Sequence, residues 1–405
     1  MTRVALKDEL LDAQLLRAVG ASLYGGSDVG ECLAAARGVR GTDLEGWYRE
    51  WSSAAERVVV LAQQAAEAGH VETARLAYLR ASTYFRTAGV MLMDAPLDRR
   101  LVEAYANQTN AFRSAAALMV PAVEIVAIPF DDTTLPGYFL RPDGRQRARA
   151  TVVLTGGYDG TAEELYLANG AAALARGYNV LAFDGPGQGA ALIDRGLAIR
   201  ADWENVITPV LDYTLARPDV DPSRVALIGL SLGAHLAPRA ASAEHRLAAC
   251  IADCGAYDLY AAFLERLPGP LARPFESGRP WARKAVAKLL QFLATKPTAG
   301  WTLRRGLLVH AVDDPLAFVD TLREFTLVGR AANIRCPTWI CDAEGDDISA
   351  STPQLVDAMT CEKTYVHFTA AEGAGDHCEQ GARALYHARS FAWLDDLLHP
   401  DTLSD

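Results

Sequence analysis

Ser231 lies in Gly229-Leu230-Ser231-Leu232-Gly233, directly after the apolar run Val225-Ala226-Leu227-Ile228, and this arrangement suits nucleophilic chemistry. A Gly-x-Ser-x-Gly turn between a buried strand and a helix strains the serine backbone, and only glycines on either side leave room for it. The hydroxyl is then held at the tip of a sheet. A helix starting at Leu232 would aim its unpaired N–H groups and positive dipole end at the same spot, where charge developing on a carbonyl oxygen would be stabilised. The motif therefore predicts acyl chemistry.

A serine hydroxyl is a poor nucleophile at neutral pH and needs a base, which in turn needs an anionic partner to fix its tautomer. When the serine sits on such an elbow, the acid and then the histidine follow it in the chain. Asp342, Asp346 and Asp347 all follow the apolar run Thr338-Trp339-Ile340-Cys341. Asp346 is preferred because it lies past the strand end, where the loop can turn back toward the serine; Asp347 is the next choice. His377 lies in the glycine-rich stretch Glu372-Gly373-Ala374-Gly375-Asp376-His377 before the last helix, and glycines let that loop bend sharply. His367 falls within a strand, His70 and His387 on helices, and His235 one turn beyond the elbow, close enough to act behind the serine. The oxyanion donors expected are the backbone N–H of Leu232 and that of Gly157, with Tyr158 second, in Thr155-Gly156-Gly157-Tyr158 after the third strand. Asp184-Gly-Pro-Gly-Gln-Gly189 lacks the lysine of a phosphate loop and the glycine spacing of a dinucleotide site, so it reads as a structural turn.

These residues need a scaffold. Residues 1–120 read as a helical domain: Thr42-x-x-Glu45 as a capping box, then Trp47, Trp51, Ala54, Ala55, Val58 and Ala62 at helical spacing, a helix from about His70 to Phe85, and another from Pro96 to Met119. From Pro121 the periodicity changes. Val123 to Ile128 and Tyr138 to Leu140 read as a hairpin, with turns at Asp131-Asp132 and Pro136-Gly137. Short apolar runs then alternate with helices through residues 121–405, which predicts a mostly parallel sheet covered on both faces. No strand is expected over about 257–335, where Pro268, Pro270, Pro274, Pro280 and Pro297 interrupt a helix-prone stretch; this insertion reads as a helical cap over the strand ends.

The chain has 405 residues and a net charge of −11, which offers no basic excess for neutralising phosphates and predicts neither a nucleic-acid nor a membrane partner. Seven cysteines without a Cys-x-x-Cys pair argue against a disulfide framework and a structural zinc site. The first twenty residues form an amphipathic pattern broken by Asp8, Glu9, Asp12 and Arg17 rather than a signal peptide. The expectation is a cytoplasmic protein with no cofactor and no metal.

With these residues in place, the chain resembles the 2,6-dihydropseudooxynicotine hydrolase family of α/β-hydrolases and the related fungal hydrolases that cut a carbon–carbon bond in polyketide pigment precursors. The matching stretches are Ala68 to Ala81, Gly156 to Glu164, Asp184 to Gly189, the elbow, Cys336-Pro337, and Gly375 to Cys378. The resemblance implies an α/β-hydrolase fold with an N-terminal helical domain, a homodimer, and a triad that maps onto Ser231, Asp346 and His377. Some relatives use an additional acidic side chain, for which Glu163, Glu164 and Asp258 are candidates here. The function expected is serine hydrolysis of a small molecule, cleaving a C–C bond in a 1,3-dicarbonyl-type aromatic or polyketide-derived substrate through an acyl-enzyme. The alternative is a carboxylesterase, lactonase, acyltransferase or cyclase acting on a secondary-metabolite ester or thioester. The pocket is expected to be enclosed and largely apolar.

Overall fold

The computed structural model describes residues 2–145 and 147–401. Five helices come first: α1 (Glu9–Gly20), α2 (Val29–Arg37), α3 (Leu44–Glu67), α4 (Val71–Val90) and α5 (Arg99–Ala117). Aspartates start four of them, because Asp8, Asp28, Asp43 and Asp98 each accept an otherwise unpaired first-turn N–H. The expected Thr42–Glu45 capping box is thus corrected: Asp43 Oδ1 accepts the Gly46 N–H at 2.8 Å, and α3 starts one residue later. The α3 stripe of Trp47, Trp51, Ala54, Ala55, Val58 and Ala62 is buried, and Trp47 Nε1 donates to Thr87 O at 2.7 Å, tying α3 to α4. Asp12 is buried rather than solvated, taking the N–H groups of Val4, Ala5 and Leu6.

An eight-stranded sheet follows, in the order β1-β2-β4-β3-β5-β6-β7-β8. Its strands are β1 (Glu124–Phe130), β2 (Thr133–Leu140), β3 (Arg149–Thr155), β4 (Asn179–Phe183), β5 (Val220–Leu230), β6 (Ala249–Asp253), β7 (Thr338–Ala343) and β8 (Lys363–Phe368). The first two form the antiparallel hairpin, turning at Asp131-Asp132. Pro136-Gly137 is not a turn but part of β2. Proline fits there because it stands at the end of the β2–β4 ladder: its carbonyl still accepts the Asp184 N–H at 2.9 Å, and the register to β4 begins with the next residue, Gly137. The remaining strands pair in parallel, and β3, β4, β6 and β7 are buried along their whole length, as a sheet covered on both faces requires.

Between strands the chain forms α6 (Ala162–Leu165), α7 (Ala171–Leu174), α8 (Gly189–Ile193), α9 (Glu204–Leu215) and α10 (Gly233–Ala241). After β6 come α11 (Leu259–Arg266), α12 (Gly269–Glu276), α13 (Pro280–Ala294), α14 (Trp301–His310) and α15 (Pro315–Thr321), with only an isolated bridge between Asp258 and Thr326. Phe275, Val286 and Val319 bury fully in a small core of their own within this segment. It also grips the first helices: Trp301 Nε1 donates to Val90 O at 2.9 Å, and Thr298 to Asp8 at 2.8 Å. The last helices are α16 (Thr352–Ala358) and α17 (Arg383–Leu398). Among the described residues, no helix is long and apolar enough to cross a membrane.

Candidate active site

Ser231 follows the last residue of β5 with φ at 60°, in the left-handed region that costs a non-glycine residue about 1–3 kcal/mol. Packing explains the glycines beside it. A Cβ on Gly229 would lie 1.9 Å from Gly233 O, and one on Gly233 would lie 2.4 Å from Thr155 O. The turn places the Ser231 hydroxyl 2.8 Å from His377 Nε2, and His377 Nδ1 lies 2.7 Å from Asp346 Oδ2. Because a carboxylate only accepts, the Nδ1–H donates to Asp346 and Nε2 is left to accept the serine proton.

Asp346 is buried and also accepts the Ile348 N–H at 3.0 Å. Burial works against its charge, but His377, Ser349 and that N–H together hold the carboxyl below its ordinary range. Burial likewise opposes a charged imidazole, yet the surroundings of His377, the Cys378 sulfur and the Asp346 carboxylate, raise its pKa well above that of a free histidine. Asp347 is exposed, and Asp342 is occupied elsewhere, accepting from Tyr365 at 2.8 Å and His367 at 2.7 Å. His235 donates from Nδ1 to Ala256 O and is held neutral, its pKa pushed down to about 4 by burial. His387 bridges Tyr24 and Ala168 O.

The His377 loop is itself strained, with Cys378 at φ 53° and Glu379 at φ 45°. A buried cluster holds it: Arg383 donates to Asp253 at 2.6 Å and to Cys378 O at 3.0 Å, while burial and the nearby Asp253 push the Glu379 carboxyl well above its ordinary range. Cys254, His377 and Cys378 bring three potential metal-ligand atoms within 4.8 Å of one another, as do Asp253, Cys254, Cys341 and Glu379. Burial pushes the pKa values of these thiols up, and Cys254 Sγ already accepts the Cys378 N–H at 3.1 Å.

On the other side of the serine, a Cβ on Gly157 would come within 2.9 Å of Ser231 Cβ. Among the described residues, the backbone N–H groups of Gly157, Tyr158 and Leu232 have no protein acceptor. Three anchors hold this loop, and none was legible in the sequence. Gln188, from the turn read as structural, donates to Gly156 O at 2.6 Å. Asp159 meets Arg17 at 3.0 Å, Arg86 at 3.2 Å and Arg305 at 3.6 Å; burial disfavours its charge, but these arginines hold its carboxyl well below the usual range. Tyr158 donates to His310 Nε2 at 2.7 Å. Its direction follows because Thr321 gives its own proton to Phe318 O at 2.6 Å and accepts from His310 Nδ1 at 2.8 Å.

The three candidate auxiliary acids all have structural partners. Glu163 accepts from Tyr138, Gln108 and Thr109, Glu164 pairs with Arg17, and Asp258 caps α11 and accepts from Thr326. Two cavities adjoin the site without Ser231 in their walls. One is lined by apolar residues such as Ala18, Leu167 and Leu230 together with Arg17, Arg86, Glu164 and Arg383. The other lies beside Tyr158 among Phe85, Met93, Leu101 and Leu192.

A mostly parallel sheet covered by helices, with a Gly-x-Ser-x-Gly turn at the end of β5, is the fold of an α/β hydrolase. The α/β hydrolase family profile matches residues 151–388, and an esterase FrsA-like profile matches residues 30–263. The chain belongs to the α/β hydrolase family. It is 35% identical to the 20-hydroxy-prefusarin hydrolase FUS2 of Gibberella moniliformis over 96% of both chains. It is 34% identical to the hydrolase LUC6 of a Fusarium species and 33% identical to the hydrolase acrC of Aspergillus aculeatus, each over 95% of both chains. The crystal structure of 2,6-dihydroxy-pseudo-oxynicotine hydrolase superposes with a TM-score of 0.74 at 22% identity, covering 94% of this chain and 95% of that one, a likeness of fold.

Proposed function

We propose that this α/β hydrolase acts through Ser231 as nucleophile, His377 as base and Asp346 as the acid that orients it. The N–H groups of Leu232 and of Gly157 or Tyr158 bind the oxyanion. The observation that carries the reading is the unbroken contact from the Ser231 hydroxyl through His377 to Asp346, at 2.8 and 2.7 Å, on a strained elbow.

His377 takes the Ser231 proton as Oγ attacks a carbonyl, the oxyanion collapses, and His377 returns the proton to the departing atom. For a 1,3-dicarbonyl the departing group is a stabilised enolate, so the bond broken is C–C. For an ester it is an alkoxide, handled by the same residues. Water, activated by the now neutral His377, then releases the acid from Ser231. The preferred substrate is a bulky 1,3-dicarbonyl-type metabolite. A 35% identical relative named for hydrolysis of 20-hydroxy-prefusarin supports a small molecule over a peptide. Ester hydrolysis is the second reading, favoured by the FrsA-like esterase match.

The test is a panel of β-diketones beside aryl esters, assayed with the natural chain and with Ser231→Ala. A β-diketone cleaved faster than every ester, with loss of about 10⁴-fold or more in the alanine variant, is the expected result. Retained activity in Ser231→Ala would remove the nucleophile, and ester cleavage alone would remove the C–C reading.

A further inference from the structure

The charge of this protein is unevenly distributed. Residues 269–300, spanning α12 and α13, carry six basic side chains and a single acid, Glu276, in a chain whose net charge is −11. Of the chain's five lysines, Lys284, Lys288 and Lys296 all lie here. Arg283 is turned inward, pairing with Asp320 at 2.6 Å. Among the described residues, Arg273, Arg279, Lys284, Lys288 and Lys296 form no ion pair within 4.0 Å.

The helix has two opposed faces. Ala282, Val286 and Leu290 pack into the small core of this segment. On the outer face, Trp281 is 57% exposed and Phe292 is 59% exposed. At 3.6 residues per turn, Trp281, Lys288 and Phe292 fall within about 20° of one line along the helix, with the two rings about 16 Å apart and Lys284 beside them. Lys296 closes the stripe, its Nζ 4.4 Å from the centre of the Phe292 ring. Of seven tryptophans, Trp281 alone is exposed to this degree.

A convex stripe of exposed rings and unpaired cations calls for an anionic partner with an apolar layer beneath its charges. Trp and Phe at the headgroup level, flanked by lysines, is the composition of an interfacial helix. The choice of cation favours lipid over protein. Arginine is the residue enriched at protein interfaces and suited to bidentate carboxylate contacts, whereas lysine is a hydrated point charge suited to diffuse phosphate headgroups. A second copy of the chain would set like charges against each other. We propose that the outer face of α13, through Trp281, Lys284, Lys288 and Phe292, docks the protein on anionic phospholipid surfaces. The acidic remainder of the chain is repelled by such a surface, so it orients the molecule with this face toward the lipid. The overall charge conceals this site.

The test is co-sedimentation of the full chain, at low salt, with vesicles of phosphatidylcholine alone and of phosphatidylcholine mixed with phosphatidylglycerol. Binding to the mixed vesicles and not to the neutral ones is expected, weakening as salt is raised. K284E/K288E should lower that binding by about tenfold or more, and W281A/F292A should lower it at every salt concentration. Circular dichroism and melting temperature report that both variants are folded. The proposal is overturned if the chain ignores mixed vesicles, if K284E/K288E binds them equally well, or if light scattering finds a dimer that these substitutions split. Vesicle indifference together with lysine-dependent retention on immobilised poly-glutamate would assign the stripe to an acidic protein and equally overturn it.

Discussion

Gly157→Ala separates the oxyanion loop from the triad without removing a catalytic side chain. An ideal Cβ at this position would lie 2.9 Å from Ser231 Cβ, 3.1 Å from Ser231 Oγ and 3.2 Å from Leu230 O, against 3.4 Å for the start of ordinary contact. The loop would have to recede by about half an ångström, and it can yield little further, because Gln188 and the Asp159 ion pairs hold it from behind. The Gly157 and Tyr158 N–H groups would recede with it. Removing one oxyanion donor outright costs about 10²–10³-fold in kcat, so a partial withdrawal should cost about 10–100-fold. KM should change little, since the donors act mainly as charge develops on the substrate oxygen. Steady-state kinetics on an aryl ester measures both constants, and a melting curve tests the fold. An unchanged kcat in a folded variant would refute the claim that this close approach sets the oxyanion geometry.

Asp346→Asn should lower kcat by about 10³–10⁴-fold, while Asp347→Asn and Asp342→Asn stay near the natural rate; parity among the three would dissolve the assignment. His377 must be neutral to act as base and its pKa is raised above the ordinary histidine value, so kcat/KM should fall as pH drops through a limb above about 6.5. In Asp346→Asn the carboxylate is gone and only the Cys378 sulfur still opposes burial, so the residual activity should show that limb at lower pH; a fixed limb would mean another group titrates. Tyr158→Phe should cost about 1–3 kcal/mol in a melting experiment, since it leaves the His310 Nε2 acceptor buried and unpaired, and should lower kcat with it. An unaltered melting temperature and rate would show that the bond to α14 does not brace the loop.

Local pattern carried the elements and pointed to the three side chains, Ser231, His377 and Asp346, that the fold brings into contact. The nucleophile elbow, the chain order of acid and histidine, and the period of apolar residues are written in a few neighbouring positions, and the strands from Arg149 onward fall where their apolar runs stand. Asp346 could be preferred over Asp342 and Asp347 from its place beyond the strand end alone. The errors were also local: Asp43 outcompetes Thr42 as a helix cap, and Pro136 is tolerated in a strand because it stands at the end of the β2–β4 ladder, where only its carbonyl is used. What only the tertiary structure decided is what holds the site in place. Asp159 gathers Arg17, Arg86 and Arg305 from three separate helices, and Tyr158 reaches His310, 152 positions away. The basic stripe of α13 vanishes into a net charge of −11. The physical reason is one of range: propensity, capping and periodicity act within a few turns of the chain, whereas buried charge pairs and surface patches depend on which distant residues the fold brings together.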